Sequence, residues 1–342
     1  MSDKKTTAKV PSSLVNTLTS HTGAINAITF SSQAGTYVLT GSSDRQIHLS
    51  RTEPATDPDK KKQSPGPIQK YVAHGYPILD IAVSRDNQTF ASVGGDRSVF
   101  LWDVASGGSE GTSRRFGSNT NQGHSSRINC VAFTGDGDTV IASGSDDTSV
   151  RLWDVKSRDT KPLMVLDEAK DGISSIVVTG NGYEIVAASV DGRVRSYDVR
   201  MGRVTVDVFP GSVTSLDVSR DAKTILVGCL DGRIRLMDRG DGTCLRAFPS
   251  EEDNAKSYKN TSLRLKSCLA INESLVLSGS EDDGNVRGWD VLSGKSVGDV
   301  NVSPSGKVVS VVKWREGSQA QGRQGLWAGG SADGVVKIYS TG

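Results

Sequence analysis

Along most of the chain, short runs of alternating apolar and polar residues are cut by tight polar turns. One stretch shows the unit clearly. Ile141 to Val155, IASGSDDTSVRLWDV, enters on Ile141-Ala142, turns at Ser145-Asp146-Asp147 and alternates again through Val150, Leu152 and Trp153. Period-two alternation on both sides of a polar turn predicts two short antiparallel strands. Asp147 stands six positions before Trp153, and the offset recurs as Asp96 before Trp102, Asp191 before Tyr197, Asp231 before Met237 and Asp333 before Tyr339. Asp44 leads to Ser50, without an aromatic, and Asp283 leads to Trp289 with Asp282 competing for the same role. Seven occurrences spaced by roughly 40 to 50 residues match the length of a four-stranded propeller blade.

The pattern predicts an all-β chain, a seven-bladed β-propeller over residues 11–342, preceded by a disordered tail from Met1 to Val10. Ser13 to Leu18 reads as a strand with no partner nearby in sequence, while blade seven offers only three, around Lys307 to Trp314, Leu326 to Gly330 and Val335 to Ser340. The first strand is therefore expected to complete the last blade, so that no interior sheet edge stays open. Four stretches rich in Pro, Gly, Ser or charge, 51–70, 107–122, 249–260 and 316–325, read as solvated loops. Blade six is expected to begin with a strand from Leu263 to Ala270.

Composition narrows the function. Within 342 residues there are 38 glycines, 6% aromatics and a net charge of +1. Many glycines suit tight turns, and the absent basic excess argues against a general affinity for nucleic acid or anionic membrane. No apolar run is long enough for a membrane span, and MSDKKTTAKV lacks the apolar core of a signal peptide. Cys130, Cys229, Cys244 and Cys268 are scattered without a C-x-x-C pair, which suits strand residues in a reducing compartment better than a disulfide framework or a zinc site.

With its turn Asp and strand-ending Trp-Asp pairs, the chain resembles the WD-repeat propeller family over nearly its whole length. In that family a His before the first strand, a Ser or Thr on the second, the turn Asp and the third-strand Trp form a hydrogen-bonded tetrad. Two blades match completely, with His74, Ser92, Asp96, Trp102 and with His124, Ser143, Asp147, Trp153. Blade one keeps His21, Thr40 and Asp44 but has Ser50 in place of Trp. A His, Asp and Ser in register look like a hydrolase triad, yet the same trio recurs at fixed repeat positions, which catalytic machinery would not do. Gly294-Lys295-Ser296 hints at a phosphate loop, but Trp289 stands where the earlier glycine belongs. No His, Cys and carboxylate cluster has metal-ligand spacing. The expectation is a protein that is not an enzyme and needs no cofactor or metal.

Function then rests on surfaces. The resemblance implies that partners dock on the top face, at positions three and five after each His slot. By alignment the distinctive residues there are Asn26, Leu79, Arg127, Asn129, Arg264 and Lys266. The near-copies DGRVRSYD and DGRIRLMD place Arg193 and Arg195, and likewise Arg233 and Arg235, on one face of a strand. Arg193 and Arg233 are the candidates for a strip facing acidic or phosphorylated partners.

Within the family, HGYPILD (His74 to Asp80), GGDRSVFLWDVASG (Gly94 to Gly107), LDEAKDGISSIVV (Leu166 to Val178) and ASVDGRVRSYDVRMG (Ala188 to Gly202) resemble the mitogen-activated protein kinase organizer group. That resemblance implies a scaffold for kinase-cascade components in cytoplasm and nucleus, or a structural subunit of the spliceosome in pre-mRNA splicing. It implies protein partners, no membrane, no small-molecule substrate, RNA contact at most indirect, and a single copy within larger complexes. Tyr197-Asp198-Val199-Arg200 also resembles the W-D-x-R motif of cullin-ligase substrate receptors. Ser64-Pro65 and Ser303-Pro304 have the form of proline-directed kinase sites.

Overall fold

The computed structural model describes residues 9–32, 35–54, 66–106, 112–117, 122–250, 258–317 and 322–341. Alternation along a strand sends consecutive side chains to opposite faces, and here both faces are buried. In blade three, Ile141 and Trp153 pack with blade two, whereas their neighbours Ala142 and Leu152 pack with blade four. Every blade repeats this, so the core is seven apolar layers, one at each junction between neighbouring blades. The blades stand so close that a Cβ on Gly144 would lie 2.4 Å from Cγ2 of Ile173 in the next blade. Glycine is required there by the approach of a neighbour.

The described residues form seven four-stranded sheets, with Ser13–Leu18 completing the seventh beside Val336–Ser340. Leu14 lies opposite Tyr339 and Leu18 opposite Val336. The ring therefore closes as the sequence pattern predicts. Among the described residues, the 3-10 turn Asp136–Asp138 is the one helical element, and no helix is long and apolar enough to cross a membrane.

Four expectations need correction. The tail does not extend to Val10: that side chain is buried at the junction of blades six and seven, where Gly288 makes room for it, since a Cβ on Gly288 would sit 2.3 Å from Val10 Cγ2. Pro11 continues the docking, its carbonyl accepting from Trp327 Nε1 at 2.8 Å. The stretch 107–122 holds the outer strand of blade two, Thr112–Phe116, because Phe116 is buried against Trp153. The innermost strand of blade six is only Ser267–Ala270; before it the Glu281 carboxylate accepts the amides of Thr261, Ser262 and Leu263, each at 2.8 Å, and holds them as a turn. The polar stretch 249–260 supplies buried Tyr258 and Asn260 to the same blade.

Candidate interaction surface

The tetrads set one end of the ring. An ionised Asp can only accept, so Nδ1 of each paired His carries the proton and Nε2 accepts a hydroxyl. His124 Nδ1 lies 2.9 Å from Asp147, His124 Nε2 lies 2.8 Å from Ser143 Oγ, and Trp153 Nε1 donates to that Oγ at 2.8 Å. His74, Asp96, Ser92 and Trp102 repeat the arrangement, with 2.7 Å from Ser92 Oγ to both His74 Nε2 and Trp102 Nε1. In blade one His21 bonds Asp44 and Thr40, each at 2.8 Å, and stacks on His48, which stands on the third strand with ring centroids 3.8 Å apart.

The blades without His hold the turn Asp by other means. In blades four, five and six an Arg four positions later takes its place: Arg195 on Asp191 at 2.8 Å, Arg235 on Asp231 at 2.5 Å, and Arg287 on Asp283. Asp283 thus fills the turn role, while Asp282 pairs with Lys259. Tyr258 supplies a hydroxyl to Ser278 at 3.1 Å where blade six lacks imidazole. Ser303 and Ser305 each donate to Asp333 at 2.8 Å in blade seven. Ser303 is fully buried, so its reading as a kinase site is corrected: the hydroxyl is occupied inside the folded ring. Ser64 lies outside the described residues.

Several top-face candidates prove to be fasteners between blades. Asn26 donates its amide to the Ile78 carbonyl of the next blade at 2.8 Å, and Asn129 does the same to Ile173 at 2.7 Å. Ser174 to Val213 and Ser310 to Ile25 repeat the link at the same repeat position. Asn129 is buried and Asn26 half-buried. Both are reassigned from partner contact to ring closure, because an amide that satisfies a neighbour's carbonyl is not offered outward. Leu79, at the matching position of blade two, carries no such group and is half-buried.

The cations behave differently. Arg264 and Lys266 of blade six reach across the ring, Arg264 Nη2 to Asp146 of blade three at 3.3 Å and Lys266 Nζ to Asp80 of blade two at 2.5 Å. Asp146 also receives Arg127 Nε at 2.5 Å and Asn129 Nδ2 at 2.6 Å. Burial pushes the Asp146 carboxyl up, but the bonds from Asn129 and Arg127 and the charge of Arg264 outweigh it, so the acid lies below its ordinary value. Asp80 further accepts the Val131 amide at 3.0 Å. Lys266 and Asp80 line a central cavity of about 410 Å³ to which all seven blades contribute. Two ion-paired groups thus tie blade six to its opposite blades, Lys266 on Asp80 and Arg264 beside Arg127 on Asp146, and Arg127 keeps 54% of its side chain exposed.

The sequence pattern does not reveal Asp80, Asp146 or Tyr76. Tyr76 is 59% exposed beside these groups in sequence, two residues after His74. One signal was available for Asp146: in an Asp-Asp turn only one carboxylate serves the tetrad, which leaves the other for a cation. Arg193 places Nη1 3.8 Å from Asp191, which Arg195 already holds, so the expected strip contains a paired cation there. Arg233 occupies the matching place in blade five, half-buried. Arg200 lies with its guanidinium 3.5 Å above the centre of the Tyr183 ring.

The family model described as WD domain, G-beta repeat matches residues 12–49, 65–103, 118–154, 160–198 and 203–238. The WD repeat domain-containing protein 83 homolog of Dictyostelium discoideum is 30% identical over 306 residues, which is 81% of this chain and 85% of that relative. WD repeat domain-containing protein 83 of Rattus norvegicus is 42% identical over 139 residues, 41% of each chain. Autophagy-related protein 16 of Arabidopsis thaliana is 25% identical over 292 residues, 84% of this chain and 52% of that relative. The matched repeats stop at residue 238, where the third strand of blade five ends; blades six and seven, with Tyr258 and Ser303 in place of His, complete the ring structurally. The chain belongs to the WD-repeat family.

Proposed function

We propose that this propeller is a non-catalytic scaffold whose top face gathers protein partners in the cytoplasm and nucleus, after the manner of a mitogen-activated protein kinase organizer. WD-repeat propellers are generally scaffolds that mediate contact between proteins. The observation that carries the reading is the arrangement of Arg127, Arg264 and Lys266 around Asp146 and Asp80. Cations fixed by half-buried acids lose little side-chain freedom when a partner arrives, which is how a rigid surface favours binding. Arginine and tyrosine are the side chains that most often dominate protein interfaces, and Arg127 and Tyr76 are both exposed here. An acidic segment of a partner is the complement. The resemblance of blades two to five to the kinase organizer group supports kinase-cascade components as the partners.

Affinity purification of the tagged full chain from cytosolic and from nuclear extract tests this. Recovery of kinase-cascade components is the expected result. Recovery of splicing factors with small nuclear RNA, and no kinases, replaces the signalling role by the splicing one.

A further inference from the structure

The outermost strand of each blade has one edge without a neighbour, and such edges are ordinarily short, bulged or interrupted, which blunts pairing with other chains. Six of the seven follow that rule. Gln69–Tyr71 and Met164–Leu166 span three residues each. The outer strands of blades two, five, six and seven carry a shift of register. Blade four departs from it. Arg203–Val208, RVTVDV, pairs with Arg193–Asp198 through six successive residues without a shift. It has no proline or lysine, and Val204, Val206 and Val208 are 41%, 48% and 70% exposed.

The hydrogen-bonding parity of this edge can be read from its end. Phe209 donates its amide inward, to the Gly192 carbonyl at 2.8 Å. In an antiparallel ladder alternate residues point their N–H and C=O to opposite sides, so Asp207, Thr205 and Arg203 also bond inward. Val204, Val206 and Val208 then direct theirs outward, where the sheet ends. A second antiparallel strand must meet outward residues with outward residues. For two copies of the same strand, this permits only registers centred on a residue. Centred on Thr205, the pairing sets Val204 opposite Val206 and Arg203 opposite Asp207, each twice by symmetry, while Gly202 turns its amide inward to the Asp198 carbonyl and ends the ladder. Shifting the centre to Val206 or Val204 leaves Arg203 without Asp207. Burial pushes the Asp207 carboxyl up, with Arg239 opposing, so a further cation beside it is favourable.

We propose that blade four's outer edge pairs with the same edge of a second copy of this chain, antiparallel about Thr205, joining two propellers through one continuous eight-stranded sheet. This surface is independent of the top face, so a dimer leaves both partner-docking ends free and doubles the valency of the scaffold. It replaces the expectation of a single copy. A six-residue strand buries less than the roughly 800 Å² per partner of a stable complex, so the association is weak and concentration-dependent.

Sedimentation velocity of the full chain over about 1 to 100 μM tests the proposal. The dimer fraction rises with concentration. Arg203→Asp or Asp207→Arg alone places like charges opposite one another and weakens association roughly tenfold. An equimolar mixture of the two variants restores it, since unlike charges meet again across the heterodimer. Val206→Pro removes an outward N–H without touching the pairing inside the blade, and it abolishes association while the thermal melt stays near that of the unaltered chain. A single species of monomer mass throughout the range overturns the proposal and leaves the edge to another protein's strand. Association that survives Val206→Pro, or that the mixture fails to restore, overturns it in favour of a different surface.

Discussion

Lys266 and Asp80 stand 186 positions apart in sequence and 2.5 Å apart in space, joining blade six to blade two across the channel. Lys266 keeps about a third of its side chain exposed, whereas Asp80 is more deeply placed and also accepts the Val131 amide. The two ends of the pair are therefore unequal. Lys266→Ala costs at most about 1 kcal/mol, as for other solvent-facing pairs. Asp80→Ala costs more, about 1–3 kcal/mol, because it leaves a backbone amide of the next blade without its acceptor. Urea unfolding of both variants checks the order; equal losses contradict it.

The tetrads make a second unequal comparison. Ser143 satisfies both His124 and Trp153, whereas Thr40 serves His21 in a blade that lacks the Trp. Ser143→Ala strands two buried groups and lowers stability by about 2–4 kcal/mol, against about 1–2 kcal/mol for Thr40→Ala. Thermal unfolding of the Ala variants at positions 143 and 40 reads the difference directly. Equal shifts show that the indole bond adds nothing.

Acid should loosen blade one first. Burial, with the charges of His21 and Lys70, holds the His48 imidazole down to about 3, and burial holds His21 below its ordinary value despite Asp44. A histidine depressed in the folded chain takes up its proton more readily when unfolded, so its contribution is fully present above about pH 6.5 and falls as the pH drops from there toward 3. The Asp44 carboxyl, pushed up by burial but brought below its ordinary value by His21, loses its contribution on further acidification, in the same direction. Between pH 7 and pH 5 the chain loses about 1–2 kcal/mol through His48. His48→Gln flattens that slope in denaturant titrations; an unchanged slope contradicts the assignment.

Gly288 and Val10 form a coupled pair. Gly288→Ala drives a methyl into Val10 and lowers stability, while Gly288→Ala combined with Val10→Ala recovers part of the loss. Deletion through Pro11 removes a buried valine and the acceptor of Trp327, costing about 2–5 kcal/mol. A double-mutant cycle with additive losses contradicts the contact.

The ring, its seven blades and its closure by Ser13–Leu18 were legible because alternation and the turn Asp are local signals that recur. Phe116 and Tyr258 were hidden by polar neighbours, although each is buried. Asn26 and Asn129 were legible as special positions but not as fasteners, since an amide facing a partner and one facing the next blade have the same sequence. Arg264 could be singled out as a cation, but its acceptor Asp146 lies 118 positions away, and no periodicity connects residues that meet only when the circle closes.

The central claim is that partners dock on the top face at the fixed cations. It is tested most directly by quantitative recovery of co-purified proteins with Arg127→Ala, compared with Arg158→Ala, an exposed Arg in the connection after the third strand of blade three, at the opposite end of that strand. The account predicts that Arg127→Ala lowers recovery of the principal partners by about tenfold, the scale of an interface hot spot, while Arg158→Ala leaves it unchanged. Equal recovery by both variants would contradict it.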